Sequence, residues 1–317
     1  MSLAPDTNAD REVFRLGTRG SDLALWQART IAGLLQEMGI HTDVTIIKTT
    51  GDRIDDVPFS KLEGKGFFTK ELEDAQLSGR VDFAVHSLKD LSTDMPDGLV
   101  LCAMVGREDP REMLLARPES IDQTRLDAGE PFPLKDGATV GTSAARRQAQ
   151  VGRLRPDLKI ADLRGNVPTR VNRLREGRYD AILLARAGLL RLELPLDDLF
   201  ARPLDVADFV PAPAQGMLGI QCRDEEPFTS TLSMLHCLDD ARGVTAEREL
   251  LLRLEGGCHI PFGANVARTA EGWKLELFLA AEVDDPSPLR LTLTGGEPED
   301  LMEEAWSRIQ DHRRSRS

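Results

Sequence analysis

Eleven arginines and one lysine crowd the stretch from Ser143 to Arg191 against four acids, so this segment carries a formal +8 in a chain whose total is −13. A guanidinium is a planar fork that grips a carboxylate or phosphate through two parallel hydrogen bonds. A polyanionic ligand therefore suits the segment as a whole, although any one of these arginines could instead serve a surface ion pair. Within it, Gly141-Thr142-Ser143 stands between a predicted strand and a predicted helix, where backbone N–H groups and hydroxyls can face an anion. Arg146 and Arg147 fall in the first turn of that helix, a place that disfavours cations unless an anion, of the ligand or of the protein, lies close. Neither this turn nor Gly64-Lys65-Gly66 has the spacing of a Walker loop, so nucleotide binding is not indicated.

Two further residues could carry chemistry. Asp90 ends the run His86-Ser87-Leu88-Lys89-Asp90 at the C-terminal end of a predicted parallel strand, the edge where open α/β sheets bind ligands. A carboxylate there can be an acid, a base, a counter-ion to a cationic intermediate, or only a helix cap. His86 reads as a satisfied core group. Cys258 follows Gly256-Gly257, which let the chain approach a ligand closely, whereas Cys102, Cys222 and Cys237 sit in apolar contexts typical of inert buried thiols. No Cys/His cluster has ligand spacing, so no metal is expected.

These residues need a frame. Val13–Leu16 reads as a strand, and Ser21 as the cap of a helix with Leu23, Trp26, Ile31, Leu34, Leu35 and Met38 at helical spacing, stopped by Gly39. Val44–Ile47 is a second strand, followed from Thr50 to Gly66 by a long polar stretch of the kind that serves as a lid or binding loop. Val81–Val85, Ala138–Gly141, Lys159–Leu163 and Asp180–Ala185 read as further strands, and Pro168 sits in the first turn of a helix, which it tolerates. Such alternation predicts α/β layers with mainly parallel sheets. The last third differs: a helix over Val244–Glu255, alternating Leu275, Leu277 and Leu279, and a closing helix over Glu299–Ile309 predict a small α+β domain.

Length and composition set the outer bounds. A chain of 317 residues, 41% hydrophobic and 29% charged, is expected to form two or three soluble domains. No apolar run reaches the length of a membrane span, the N-terminal residues lack a signal-like apolar centre, and the scattered cysteines fit a reducing, cytoplasmic setting. Outside Ser143–Arg191 the chain carries a formal −21, and aromatics are 5% with a single tyrosine, which argues against a nucleic-acid binder.

Read together, the blocks Thr18-Arg19-Gly20-Ser21 with LALWQA, GKGFFTKELE, AVHSLKD, REDPRE, GTSAARRQ, LRGNVPTR, YDAILLARAGLLRL, PAPAQGMLGIQCR and RLEGGCHIPFGA resemble the porphobilinogen deaminase (hydroxymethylbilane synthase) family over nearly the whole chain. The resemblance implies an α/β fold of two periplasmic-binding-protein-like domains around a cleft, plus a smaller C-terminal α+β domain. Their expected bounds are 11–106 plus 209–228, 111–205 and 229–317. It implies a transferase that joins four porphobilinogens head to tail, releasing four ammonias and then hydroxymethylbilane, on a dipyrromethane cofactor held by a thioether to Cys258. Asp90 would be catalytic, stabilising the positive charge that loss of ammonia leaves on the pyrrole. Lys89, Ser87, Thr142, Ser143, Arg146, Arg147, Arg164 and Gly165 would hold the cofactor, while Arg19, Ser21, Gln27, Lys65, Arg164, Arg170 and Arg191 would hold the substrate's acetate and propionate groups. Lys61, Lys65 and Phe68 would belong to a lid. The implied partner is the small-molecule substrate alone, with no nucleic acid or membrane, and the implied state a monomer.

Four residues depart from the family's usual pattern: Ala144 for a second serine, Pro168 and Ala214 for glycine or a small residue, and Asp22 for a neutral or basic one. The competing class is a two-domain cleft protein that binds a polycarboxylate without catalysis; it would need neither Asp90 nor Cys258.

Overall fold

The computed structural model describes residues 13–49, 69–254 and 260–316. The first sheet has the order β2-β1-β3-β10-β4, from β1 (Val13–Thr18), β2 (His41–Ile46), β3 (Phe83–Ser87), β4 (Leu99–Val105) and β10 (Leu218–Arg223). The second has the order β7-β6-β8-β5-β9, from β5 (Glu112–Ala116), β6 (Thr139–Gly141), β7 (Lys159–Ala161), β8 (Ala181–Ala185) and β9 (Phe200–Pro203). β11 (Phe262–Thr269), β12 (Gly272–Leu279) and β13 (Leu289–Gly295) form a third, antiparallel sheet.

The two larger sheets are mixed, which corrects the expectation of mainly parallel pairing. β1 pairs parallel with β2 and β3, and β6 with β7 and β8, but β10 and β5 run antiparallel to both of their neighbours. The reason lies in the connections. β5 and β10 are the strands entered directly after the chain passes between the sheets, without the helical crossover that parallel pairing needs.

Helices cover the sheets: α1 (Asp22–Glu37) and α2 (Lys70–Leu77) in the first domain; α3 (Gln123–Asp127), α4 (Ala145–Leu154), α5 (Val167–Arg175) and α6 (Arg186–Leu192) in the second. α7 (Phe228–Ser233) and α8 (Leu238–Arg253) lead into the third sheet, and α9 (Pro298–Arg314) closes the chain. α1 begins where Ser21 Oγ accepts the N–H of Ala24, buries Ala24, Ala28, Ile31 and Leu35 at helical spacing, and ends at Gly39, whose φ is +83°. Ala28, Ile31 and Leu35 pack with Phe14, Leu16, Phe83 and Ile220 into the first core. Phe83–His86 is buried throughout because β3 is central in its sheet and covered on both faces.

Two boundaries differ from expectation. α8 starts at Leu238, six residues before the predicted Val244, because Asp239 and Asp240 favour a first turn that apolar periodicity alone does not reveal. Leu232 and Leu235, expected within the third domain, pack in the first core beside Phe14 and Phe228. Among the described residues no helix is long and apolar enough to cross a membrane.

Candidate active site

Asp90 closes a 3-10 turn, Leu88–Asp90, at the C-terminal end of β3. The turn is anchored where Leu88 N–H donates to the Met217 carbonyl (2.9 Å) and Leu91 N–H to that of Leu88 (3.2 Å). Its apolar root is Leu88, which is fully buried and packs closely over Gly219, where an added Cβ would stand 2.8 Å from Leu88 Cδ1. Asp90 itself is exposed, and no hydrogen bond from the described residues holds its carboxylate.

Lys89 is half-buried and donates to Gln215 Oε1 at 3.2 Å. Burial pushes its ammonium below the usual lysine range, with Asp90 opposing and Arg147, Glu112 and Arg146 also felt. Arg170, on α5, is pushed down to about 10 by burial and by Arg147, with Asp90 opposing and Arg173 and Arg164 adding to the repulsion. One electrostatic cluster therefore spans the two domains, in which Lys89, Arg146, Arg147, Arg164, Arg170 and Arg173 stand with the carboxylates of Asp90 and Glu112.

The junction of β6 and α4 keeps the strand, turn and helix order that the sequence indicates, with a difference in what its cations meet. Thr142 N–H donates to the Ala161 carbonyl (2.8 Å), and Ser143 Oγ both donates to the Leu163 carbonyl and accepts the Leu163 N–H (3.0 Å each), clipping two loops together. The difference lies in Arg146 and Arg147. Glu112 on β5, fully buried, receives Arg146 Nη2 on one oxygen (2.5 Å) and Arg147 Nη2 on the other (2.8 Å). The remaining bonds of these forks run to the carbonyls of Val210 (2.7 Å) and Leu183 (2.9 Å). The anion beside the two cations of this first turn is thus an internal carboxylate, which engages Arg146 and Arg147 alike. Both buried arginines hold the Glu112 carboxyl down to about 2. Among the described residues, Thr142 Oγ1 and Arg147 Nε at this junction stay buried without a hydrogen-bond partner.

Gly165 has φ +97°, and its carbonyl accepts Arg170 Nε (2.6 Å); Asn166 caps α5 by accepting Thr169 N–H (3.0 Å). The Arg164 carbonyl accepts Arg173 Nη1 (2.8 Å). On the facing domain, Gln27 Nε2 donates to Ser87 Oγ (2.7 Å), and Arg19 lies near enough to His86 to be felt by it. His86 is buried, bonded to Gln221 Oε1 and lowered to about 4 by burial, so it is a neutral core group. Arg191 reaches the second passage between the domains: it is buried, donates to the Gly216 carbonyl (2.5 Å) and lies over the Trp26 ring at 5.5 Å. Cys258, Lys61, Lys65 and Phe68 fall outside the described residues. Of the other cysteines only Cys222 is buried; Cys102 and Cys237 are partly exposed.

Several supporting residues were not singled out in the sequence. Glu112 and Gln215 lie inside recognisable blocks, but nothing marks them as internal partners. Gln215 is buried, accepts from Lys89 and donates to the Pro110 carbonyl (2.8 Å), so it ties the Asp90 turn to the first passage between the domains. Glu247 did leave a signal: it interrupts the apolar stripe of Val244 and Leu251 on α8, which Leu254 continues at the C-cap. It is fully buried against Arg107 (2.8 Å) and the N–H groups of Ala214 and Val266 (2.7 Å each).

A family model for the porphobilinogen deaminase dipyromethane cofactor binding domain matches residues 14–231, and one for the porphobilinogen deaminase C-terminal domain matches residues 241–297. The chain is 45% identical over 296 residues to a porphobilinogen deaminase of Maridesulfovibrio salexigens, covering 92% of this chain and 90% of that one. It is 43% identical over 307 residues to that of Pelobacter propionicus, covering 96% and 94%. Among solved structures, an ancestral cationic amino acid solute binding protein is a distant likeness, with TM-score 0.43, 13% identity, and 71% and 88% of the two chains covered. With both domain models and relatives of this closeness spanning nearly its full length, the chain belongs to the porphobilinogen deaminase family.

Proposed function

We infer that the chain is a transferase that joins porphobilinogen units head to tail with loss of ammonia to give hydroxymethylbilane, and that Asp90 and the cation cluster around it do this work. The observation that carries the residue assignments is the grouping itself. Among the described residues the Asp90 carboxylate takes no hydrogen bond and stands with six cations and the buried Glu112, while Thr142 Oγ1 and Arg147 Nε are buried donors left without partners there. Burying such groups unpaired costs about 1–3 kcal/mol each, so they suit a ligand that brings carboxylates. Dipyrromethane, with acetate and propionate groups on each ring, fits that donor set.

Thr142, Arg147, Arg164, Arg170 and Lys89 would bind those carboxylates and fix the rings across the cleft. When bound, the dipyrromethane supplies the terminal pyrrole ring to which the first substrate joins. Arg146 holds Arg147 in place through Glu112 and Val210, and Ser143 holds the loop that carries Arg164. Asp90, whose carboxylate is unclaimed by the described residues, accepts the pyrrole N–H of the incoming substrate, stabilises the positive charge left by departing ammonia, and can receive the proton released on C–C bond formation. Cys258 is the proposed attachment point, and Lys61, Lys65 and Phe68 remain proposed lid residues on the family pattern alone. The same reading places the enzyme in the cytoplasm as a monomer acting on a small molecule, with neither nucleic acid nor membrane as partner.

Intact mass of the purified protein tests it. The expected result is an excess equal to the dipyrromethane that is absent from Cys258→Ser and grows by porphobilinogen-derived units during incubation with substrate. A mass that stays at the bare polypeptide's value in both proteins overturns it.

A further inference from the structure

A side chain from the third domain holds the turn on which Asp90 stands. Arg248 lies on α8 and is only 9% exposed. Its Nη1 donates to the carbonyls of Leu88 (3.2 Å) and Leu91 (3.0 Å), and its Nη2 to that of Ser92 (3.0 Å). Leu88 opens the 3-10 turn and Leu91 and Ser92 follow it, so Arg248 spans the turn, sharing the Leu88 carbonyl with Leu91 N–H and taking the carbonyls of Leu91 and Ser92 just beyond its end. The approach is built into α8: Ala241, Val244 and Arg248 share one face at helical spacing, and the first two pack against Leu88 and Leu91. No carboxylate among the described residues pairs with Arg248, so its charge is committed to backbone oxygens alone.

No hydrogen bond from the described residues orients the Asp90 side chain, so the backbone from Leu88 to Ser92 decides where its carboxylate stands. We propose that Arg248 is a positioning residue for the reaction, through which α8 sets the place of the Asp90 carboxylate. The inference rests on the reading of Asp90 as catalytic. It also gives the domain arrangement a purpose, since Cys258 follows α8 by five residues in the sequence. One helix then precedes the attachment residue and holds the turn of the catalytic one.

The test compares Arg248→Ala, Arg248→Lys, Asp90→Ala and, as a surface control on the same helix, Arg242→Ala, each as cofactor-loaded enzyme verified by intact mass. Two readouts are taken: kcat and KM for porphobilinogen, and amide hydrogen exchange of peptides spanning 86–95. In Arg248→Ala, kcat should fall roughly tenfold to a hundredfold, as small misplacements of reacting groups do, with KM changed much less. Exchange over 88–92 should quicken while β11 and β12 exchange as before. Arg248→Lys, which keeps the charge but cannot span three carbonyls, should fall between, and it carries the test if the alanine variant does not fold; Arg242→Ala should move neither readout. An Arg248 variant with normal kcat overturns the proposal, as does one whose kcat falls while exchange at 88–92 stays at the wild-type rate. Near-normal turnover by Asp90→Ala would instead remove the catalytic reading of Asp90, leaving the exchange result to report on the Arg248 contact by itself.

Discussion

At the scale of single residues, the most informative group is Glu112. Two arginines in one helical turn repel each other and the helix dipole, and the structure resolves that conflict with a carboxylate from a neighbouring strand, buried and gripped on both oxygens. Its pKa, about 2 against an ordinary 4.5, lies below the unfolded value. The stability it contributes is therefore fully present above pH 4.5 and is lost as the pH falls through about 2. Glu112→Gln should be destabilised by about 3 kcal/mol near neutral pH, with the gap to wild type closing over that acid window. Urea unfolding at a series of pH values measures this; a gap independent of pH would mean that the carboxylate's charge is not what the arginines need. In the sequence Arg146 and Arg147 were legible as cations short of an anion. Which anion answers them was not, because Glu112 lies 34 residues from Arg146 on another strand.

At the scale of elements, α5 shows how a short helix is set to present a side chain. Gly165 takes a φ of +97°, where an added Cβ would stand 2.8 Å from Thr169, and Asn166 then caps the helix. That entry brings Arg170 back onto the Gly165 carbonyl and into the cluster with Asp90 and Arg147. Asn166→Ala should cost about 1 kcal/mol of stability through the lost cap. It should also raise KM for porphobilinogen more than it lowers kcat, because Arg170 is proposed to bind substrate rather than react. Steady-state kinetics beside thermal unfolding separates the two effects, and an unchanged KM would detach Arg170 from substrate binding. Pro168 sits in the first turn of α5, where its missing N–H is not needed, so this departure from the family pattern fits the helix.

At the scale of the whole molecule, the three domains meet at the passages between the first two. Arg107 bonds to Glu247 of α8, to the Val266 carbonyl of β11 and to the Gln215 carbonyl, while Ala214 gives its N–H to Glu247. Ala214 does so from a left-handed conformation, φ +61°, where glycine is the easier residue. Gly216 has no such latitude: at φ +91°, a Cβ would stand 2.1 Å from the Glu108 carbonyl oxygen. Its own carbonyl accepts both Glu108 N–H and Arg191, so the two passages and the second domain are joined at one residue. Gly216→Ala should cost at least about 2 kcal/mol, from strain and the forced retreat of backbone, read as a lower urea midpoint. A midpoint within error of wild type would show that the passages move apart freely.

The sequence by itself determined the groups that carry chemistry and the elements that bear them. Cation-rich α4 and α5, the Gly-Thr-Ser junction, the run ending in Asp90 and the capped α1 all depend on neighbours a few residues apart, where periodicity, caps and turn residues act. Tertiary structure alone decided their partners. Glu112 beneath Arg146 and Arg147, Gln215 beneath Lys89, Glu247 beneath Arg107 and Arg248 beneath the Asp90 turn are side chains brought in from 34 to 160 residues away. Such pairings carry no local period, and a buried charge is stable only once its partner has arrived.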